Sequence, residues 1–458
     1  MNPFSILLFL VLASFLWTVE RKWALAPFLA GCCLMTAGQG IDLGPISLPM
    51  YRMLLLVGFF RAIVKKEGLD GPMNTIDKLM ICWASWYFLA SFFHDPDLGS
   101  GPTYVSGQIF NQLGFYFLVR IWCRDLDDMV GIISILALIL VPIAVEMMQE
   151  KVTGKNLFSF FGRVPENVLI REGKLRAQGP FLHPILAGTV GATCIPLFVG
   201  ILNINRKRAM IGIAAGMFMV FASASSGPVM SLMAAAGALM IWKIRGITRF
   251  ARSGFVITYL FLMMVMKKPP YYLISKIDLS GGSTGWHRSY LIDQTIAFFS
   301  EWWLFGTDHT RHWMPFQGVA MSPTHTDITN YYIGFAVGGG LLAMLLIITV
   351  FLKGLTWVGK TMDELLDRRP DHAFMIWCFG SALFAHMVTG ISVAYFDQSA
   401  VFVWLTVAVI SSMYSATVLS ENYGSELDDG MMEEDEYDSR RKRDRWMAEG
   451  EPVRTHDI

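Results

Sequence analysis

Residues 331–353 read Tyr-Tyr-Ile-Gly-Phe-Ala-Val-Gly-Gly-Gly-Leu-Leu-Ala-Met-Leu-Leu-Ile-Ile-Thr-Val-Phe-Leu-Lys, with no charged side chain before the closing lysine. About 20 apolar residues in a helix cross the hydrocarbon of a bilayer, so this run is long enough to span one. Comparable runs lie near 3–19, 23–40, 46–64, 77–93, 103–122, 128–147, 181–203, 209–224, 227–244, 253–267, 373–393 and 399–419, with 23–40 and 253–267 the shortest or most interrupted. About twelve to thirteen spans are therefore expected. The chain of 458 residues is 54% hydrophobic and 16% charged, and its mean hydropathy is +0.46. That is too apolar for an ordinary soluble domain and too long for a single anchor. A membrane barrel would show short alternating segments instead. The expected fold is all-α: a polytopic helical bundle over residues 1–420, with outward loops at 148–180 and 267–330.

Lysine and arginine near span ends mark the cytoplasmic side. Arg21, Lys22, Lys65, Lys66, Arg120, Arg124, Asn205-Arg206-Lys207-Arg208 and the stretch Lys243 to Arg252 fall on one side. The opposite connections, Gly38 to Gly44, His94 to Pro102 and Ser392 to Ser399, carry almost no positive charge. The outward loop 148–180 is nevertheless basic, with Lys151, Lys155, Arg163, Arg171, Lys174 and Arg176. An exported basic loop points to an anionic ligand, although a merely solvated loop fits the charge equally well. The amino terminus lacks a basic n-region and a small-residue cleavage site, and reads as a retained span. Cys32, Cys33, Cys82, Cys123, Cys194 and Cys378 include no C-x-x-C pair, so neither a disulfide framework nor a thiolate metal site is expected. The tail, 421–458, runs from Glu433-Glu434-Asp435-Glu436 to Arg440-Arg441-Lys442-Arg443 and reads as a disordered cytoplasmic extension.

Three segments carry candidate chemistry. The first is Arg176-Ala-Gln-Gly-Pro-Phe-Leu-His-Pro-Ile-Leu-Ala-Gly188, where a loop enters a span. Gly179 and Pro180 break the chain and leave Arg176 at headgroup depth, where a guanidinium can fork onto phosphate oxygens; a snorkelling arginine is the plain alternative. His183, one turn into the apolar layer, needs an internal partner. The second segment, Gly281-Gly-Ser-Thr-Gly-Trp-His-Arg288, opens an amphipathic interfacial helix with Leu291, Ile292, Ile296, Phe299, Trp302 and Trp303 at helical spacing. Its free N–H groups and Arg288, beside His287, suit a diphosphate, whereas pure membrane anchoring is the bland reading. The third places His325 near Asp327 and Asn330, just before the span at 331. An imidazole oriented by a carboxylate is suited to take a proton from a sugar hydroxyl.

In this order the motifs resemble the O-antigen ligase and Wzy-type polymerase superfamily of bacterial membrane proteins. Members carry an R-x-x-G-x-F-x-H-P-like segment before a middle span, a large periplasmic loop that begins near an arginine, a glycine turn, then a histidine-asparagine segment and a glycine-rich span. Here those are similar to Arg176 to Gly188, Gly285 to Arg288, Trp303-Leu304-Phe305-Gly306, and His325 to Asn330 leading to Gly338-Gly339-Gly340-Leu341-Leu342. The likeness covers about residues 170 to 350; the first half matches in hydropathy alone. It implies a GT-C-like fold in the bacterial inner membrane and metal-independent glycosyl transfer from an undecaprenyl-diphosphate-linked glycan at the periplasmic face. It further implies a chain-length regulator and a flippase as partners, with no cofactor and no nucleic acid. Arg176 and Arg288 would bind the diphosphate and His325 would activate the acceptor, with Gly179, His183, His287, His309 and Asn330 lining the site.

The chain departs from the family in two places. Ser225-Ser226-Gly227-Pro228 stands where members often carry Ser-Arg, so one positive charge is missing. Thr326 to Thr329 separate His325 from Asn330, so either His325 or Asp327 holds the position of the base, with His309 and His312 as rivals. A single displacement predicts inversion at the anomeric centre. The missing Ser-Arg favours a polymerase over an O-antigen ligase. A transporter or flippase would instead place charged or broken helices near the midplane, where Glu146 and His386 are the deep candidates.

Overall fold

A computed structural model describes residues 1–44, 46–98, 101–276, 285–316 and 321–419; the tail 421–458 and the turn Gly281 to Thr284 lie outside the described residues. A helix occupies each expected span. The helices are α1 (Pro3–Thr18), α2 (Leu25–Leu34), α3 (Met50–Val64), α4 (Thr75–Ala90), α5 (Pro102–Ile109), α6 (Phe115–Trp122), α7 (Leu126–Thr153), α8 (Pro184–Gly200), α9 (Arg206–Ala222), α10 (Ser226–Met240), α11 (Ala251–Val265), α14 (Tyr331–Leu365), α15 (Pro370–Gly390) and α16 (Ala400–Tyr414). Within the large loop lie α12 (Gly285–Ala297) and the single turn α13 (Phe299–Trp302). Among the described residues five helices are long and apolar enough to cross a membrane: Leu126–Thr153, Ser226–Gly246, Tyr331–Leu365, Pro370–Gly390 and Ala400–Leu419.

Boundaries follow local chemistry more than hydropathy. The expected span at 23–40 is helical only over α2, and the next begins late, because β1 (Gly40–Leu43) and β2 (Ile46–Pro49) pair as an antiparallel hairpin. Helix α7 starts where Asp125 accepts a bond from the Asp128 N–H and ends at Gly154, at φ 72°. It thus reaches past 147 and removes the first turn of the expected loop. The rest of that loop forms a second hairpin, β3 (Leu169–Arg171) and β4 (Lys174–Arg176). The interfacial helix expected through Trp303 stops at Ala297, because Phe298 leaves the helical region at ψ 27°.

Nearly every residue of α8 is buried, and it packs between α9, α10 and α15. Small residues allow this: a Cβ on Gly191 would lie 2.6 Å from the Gly216 carbonyl of α9. The two ends of the bundle sort as the charge pattern expects. At one end Arg21 pairs with Asp128, Arg61 with Glu67, and Arg120 grips Asp77 through two bonds of 2.9 and 3.0 Å. At the other, Gln39 donates to the Phe161 carbonyl, His94 meets Asp308 at 2.6 Å, and Asn330 donates to the Ile391 carbonyl.

Helix α14 is broken. Gly339 and Gly340, the latter at φ 74°, leave helical geometry nine residues into the span. Freed backbone groups inside an apolar layer must find partners. They find them in the turn after α13: the Thr307 N–H donates to the Val337 carbonyl at 2.8 Å, and the Leu341 N–H to the Trp303 carbonyl at 2.9 Å. Trp86 of α4 donates to the Gly339 carbonyl at 2.8 Å. The fit needs glycine on both sides, since a Cβ on Gly340 would meet the Leu304 oxygen at 2.0 Å and one on Gly306, at φ 95°, the Val337 oxygen at 2.1 Å. Gly340→Ala or Gly306→Ala is expected to cost about 3 kcal/mol of stability. Gly359→Ala, which meets nothing within 4 Å, should stay within about 1 kcal/mol of wild type. Thermal unfolding of the detergent-solubilised protein measures the difference.

Candidate functional site

The segment from Arg176 to His183 is held by its backbone. The Ala177 N–H donates to the Ala222 carbonyl at 3.0 Å. Glu150 of α7 accepts from the N–H groups of Gln178 and Gly179 at 3.0 and 2.5 Å. Gln398 donates to the Pro180 carbonyl at 3.0 Å, and the Leu182 N–H donates to Asp397 at 2.8 Å. Gly179 turns the chain at φ 57° with its N–H already engaged. His183 caps α8, its Nδ1 accepting from the Ile185 N–H at 3.1 Å. Four elements therefore fix the position of Arg176, which is itself buried. Its Nη2 donates to Ser225 Oγ at 2.6 Å, while its Nε has no partner among the described residues.

Helix α12 supplies the second arginine. Leu291 faces inward onto Trp302, Trp313, Met314, Ile333 and Ala336, which seats the helix against the start of α14. That leaves His287 buried and Arg288 half-buried, with His287 Nε2 and Arg288 Nε unpartnered among the described residues. Asp327 lies within electrostatic reach of both. Burial raises the Asp327 carboxyl above its ordinary range, against the pull of His287 and Arg288. Burial also lowers His287 and Arg288.

A third arginine links the two electrostatically. The charge of Arg171, on β3, reaches Arg176, His183 and Arg288. Burial, then Arg171, push the Arg176 guanidinium down to about 10. Among the described residues none of Arg171, Arg176 and Arg288 forms an ion pair with a carboxylate. The charges of these cations reach one another and repel, with Asp327 the carboxylate in electrostatic reach of Arg288, and an anion bound among them would relieve both repulsion and desolvation. In the sequence Arg171 reads only as loop charge. The chain turns at Glu172-Gly173, both at positive φ, and the hairpin register sets Arg171 opposite Lys174, two residues before Arg176.

His325 joins a different group. Its surroundings are His94, Asp308 and His309, and Thr310 Oγ1 lies 3.5 Å from its Nδ1. Burial lowers its pKa, with Asp308 opposing. Asp308 also binds the Asp95 N–H at 2.7 Å, so it fastens the large loop to the 94–95 turn. His309 is exposed, and His312 pairs with Glu301 at 3.0 Å. Asn330 caps α14, accepting from the Tyr332 and Ile333 N–H groups at 3.0 and 3.1 Å while donating to Ile391, so its amide is fully employed in structure. The structure thus brings Arg176, His183, Arg288, His287 and Asp327 into one electrostatic cluster and sets His325 and His309 beside it with His94.

No protein-family model matches the chain, and no curated protein is significantly similar to it.

The raised Asp327 pKa has a consequence for stability. Its ionised form is the costly one in the folded protein, so the penalty is absent below the usual aspartate range and grows as pH climbs through the raised value. Asp327→Asn should therefore raise the unfolding temperature at pH 7–8 by roughly 2–4 °C, and match wild type near pH 4 or below. Paired melts across that range check the sign.

Proposed function

We propose that this protein is a membrane glycosyltransferase of GT-C-like architecture, with about twelve to thirteen crossings, that extends a glycan carried on undecaprenyl diphosphate at the periplasmic face of the bacterial inner membrane. The observation that carries the reading is the convergence of Arg171, Arg176 and Arg288, none ion-paired among the described residues, with Asp327 and His287 alongside. A diphosphate is the dianionic group such a cluster suits, because guanidinium forks match its oxygens. The missing Ser-Arg charge is consistent with this. Ser225, where that feature would begin, receives the Arg176 hydrogen bond, and Arg171 brings a third cation from the hairpin instead.

In the proposed reaction an acceptor hydroxyl oxygen attacks the anomeric carbon from the face opposite the leaving group. The bond from that carbon to the diphosphate oxygen breaks, and prenyl diphosphate departs with the electron pair, its charge met by the arginines. The hydroxyl proton passes to Asp327, whose raised pKa fits it better to hold a proton than an ordinary carboxylate. His325, two residues away with its own polar company, supports the acceptor side of the loop. One displacement inverts the anomeric configuration. The broken α14 does not favour a transporter, since its freed groups bond to Trp303, Thr307 and Trp86.

Arg176→Ala and Arg288→Ala should each remove about 2–4 kcal/mol of transition-state stabilisation, by comparison with the loss of other preorganised donors. Asp327→Asn should slow transfer by about 10²- to 10⁴-fold, and Arg171→Ala by about tenfold. Transfer from a purified prenyl-diphosphate-linked repeat unit in proteoliposomes is the assay, with NMR of the new linkage. Wild-type rates in the arginine variants, or retained configuration in the product, would contradict the reading.

A further inference from the structure

A cavity of about 530 Å³ lies between α12 and the stretch following α11. Trp286, Ser289 and Tyr290 line one wall, and Lys268, Tyr272 and Lys276 the other. Positions 286, 289 and 290 share one helix face, whereas Arg288 is turned away from it. Among the described residues no carboxylate lines the cavity.

The aromatic wall is braced. Phe316 sets its ring edge-on to Trp286 at 5.5 Å and to Tyr290 at 5.6 Å. The hydroxyls of Tyr271 and Tyr272 both bond to Asp293, which occupies that carboxylate and fixes the Tyr272 ring. Lys268 Nζ sits 4.6 Å from the centre of the same ring. Trp286 is nonetheless 49% exposed, so a large braced indole faces open space. Braced rings offer flat apolar faces to the C–H side of a pyranose, and hydroxyl and ammonium groups around them suit sugar hydroxyls and acidic substituents.

We propose that this groove binds an anionic saccharide, one bearing carboxylate or phosphate groups, and holds the acceptor end of the glycan beside the arginine cluster. The assignment of that saccharide as acceptor rests on the glycosyltransferase reading; the binding itself does not. The groove and Arg288 are separated by the width of one helix, about 10 Å, which a short oligosaccharide spans around the first turn of α12.

The test uses the full-length protein in phosphatidylcholine nanodiscs, with saturation-transfer NMR of hexagalacturonate and of uncharged maltohexaose. Hexagalacturonate should bind more tightly, and Trp286→Ala should weaken it by about tenfold, as loss of a central aromatic anchor does. Trp286→Tyr should restore most of the binding, which separates lost stacking from misfolding. Lys268→Gln with Lys276→Gln should remove the preference for the charged probe. Arg288→Ala should leave binding within about twofold while slowing transfer. Equal binding of both probes, or indifference to Trp286 and the lysines, overturns the proposal. So does displacement of hexagalacturonate by phosphatidylglycerol in the disc, which would make the groove a lipid headgroup site. Trp286-dependent binding by a wild-type protein that shows no transfer would keep the groove and discard the enzyme.

Discussion

The structure depends on a break in one helix. Within α14 the turn at Gly339 and Gly340 releases backbone groups at a depth where water does not compensate them. An unpaired buried backbone group costs about 1–3 kcal/mol, so the break persists only because Trp303, Thr307 and Trp86 pair with it. That requirement binds the large loop to the bundle. Once the Trp303 to Thr307 turn is locked into α14, α12 lies against the start of the same helix through Leu291, and Asp308 reaches His94. Placement of Arg288 is thus set by hydrogen bonds to residues more than fifteen positions away, not by the loop's own preferences.

The second constraint is electrostatic and runs the other way. Glu150, Asp397, Gln398 and the Ala222 carbonyl fix the backbone from Ala177 to Leu182. Each binds the chain, and among the described residues the Arg176 side chain bonds to Ser225. The protein uses carboxylates freely elsewhere: Arg21, Arg61 and Arg120 each have one. Arg171, Arg176 and Arg288 have no such ion pair among the described residues, and burying a cation without one is unfavourable. Asp327 fits the same pattern, because its burial is unfavourable to the ionised fold and useful to a proton acceptor.

Much of this was legible in the sequence. Apolar runs located the helices, because a helix crossing hydrocarbon must be apolar along its length. Lysine and arginine placement sorted the connections onto two ends, as the contacts of Arg21, Arg61 and Arg120 at one end and Gln39 and His94 at the other bear out. What hydropathy could not convey was local bonding. The β1–β2 hairpin displaced a span start, Glu146 and Glu150 extended α7 as buried hydrogen-bond acceptors, and Asn330 was occupied in capping. Arg171 was hidden because its electrostatic reach to Arg176 depends on a hairpin that sets it opposite Lys174, two residues from Arg176, a register that single-residue properties do not encode. The glycine motif was visible, but its purpose, letting two backbones interlock, appears only when Gly306 and Gly340 are seen to face one another's chains.

The central claim is that the β3–β4 hairpin and α12 share one water-accessible site on one side of the membrane. Cysteines placed at positions 171 and 288, in a background where the exposed Cys82 is replaced by serine, test it directly with a membrane-impermeant bifunctional maleimide applied to spheroplasts. The account predicts that both positions react from the periplasmic side and that a single short linker joins them within one chain. Reaction from opposite sides, or two accessible thiols that no short linker joins, would contradict it.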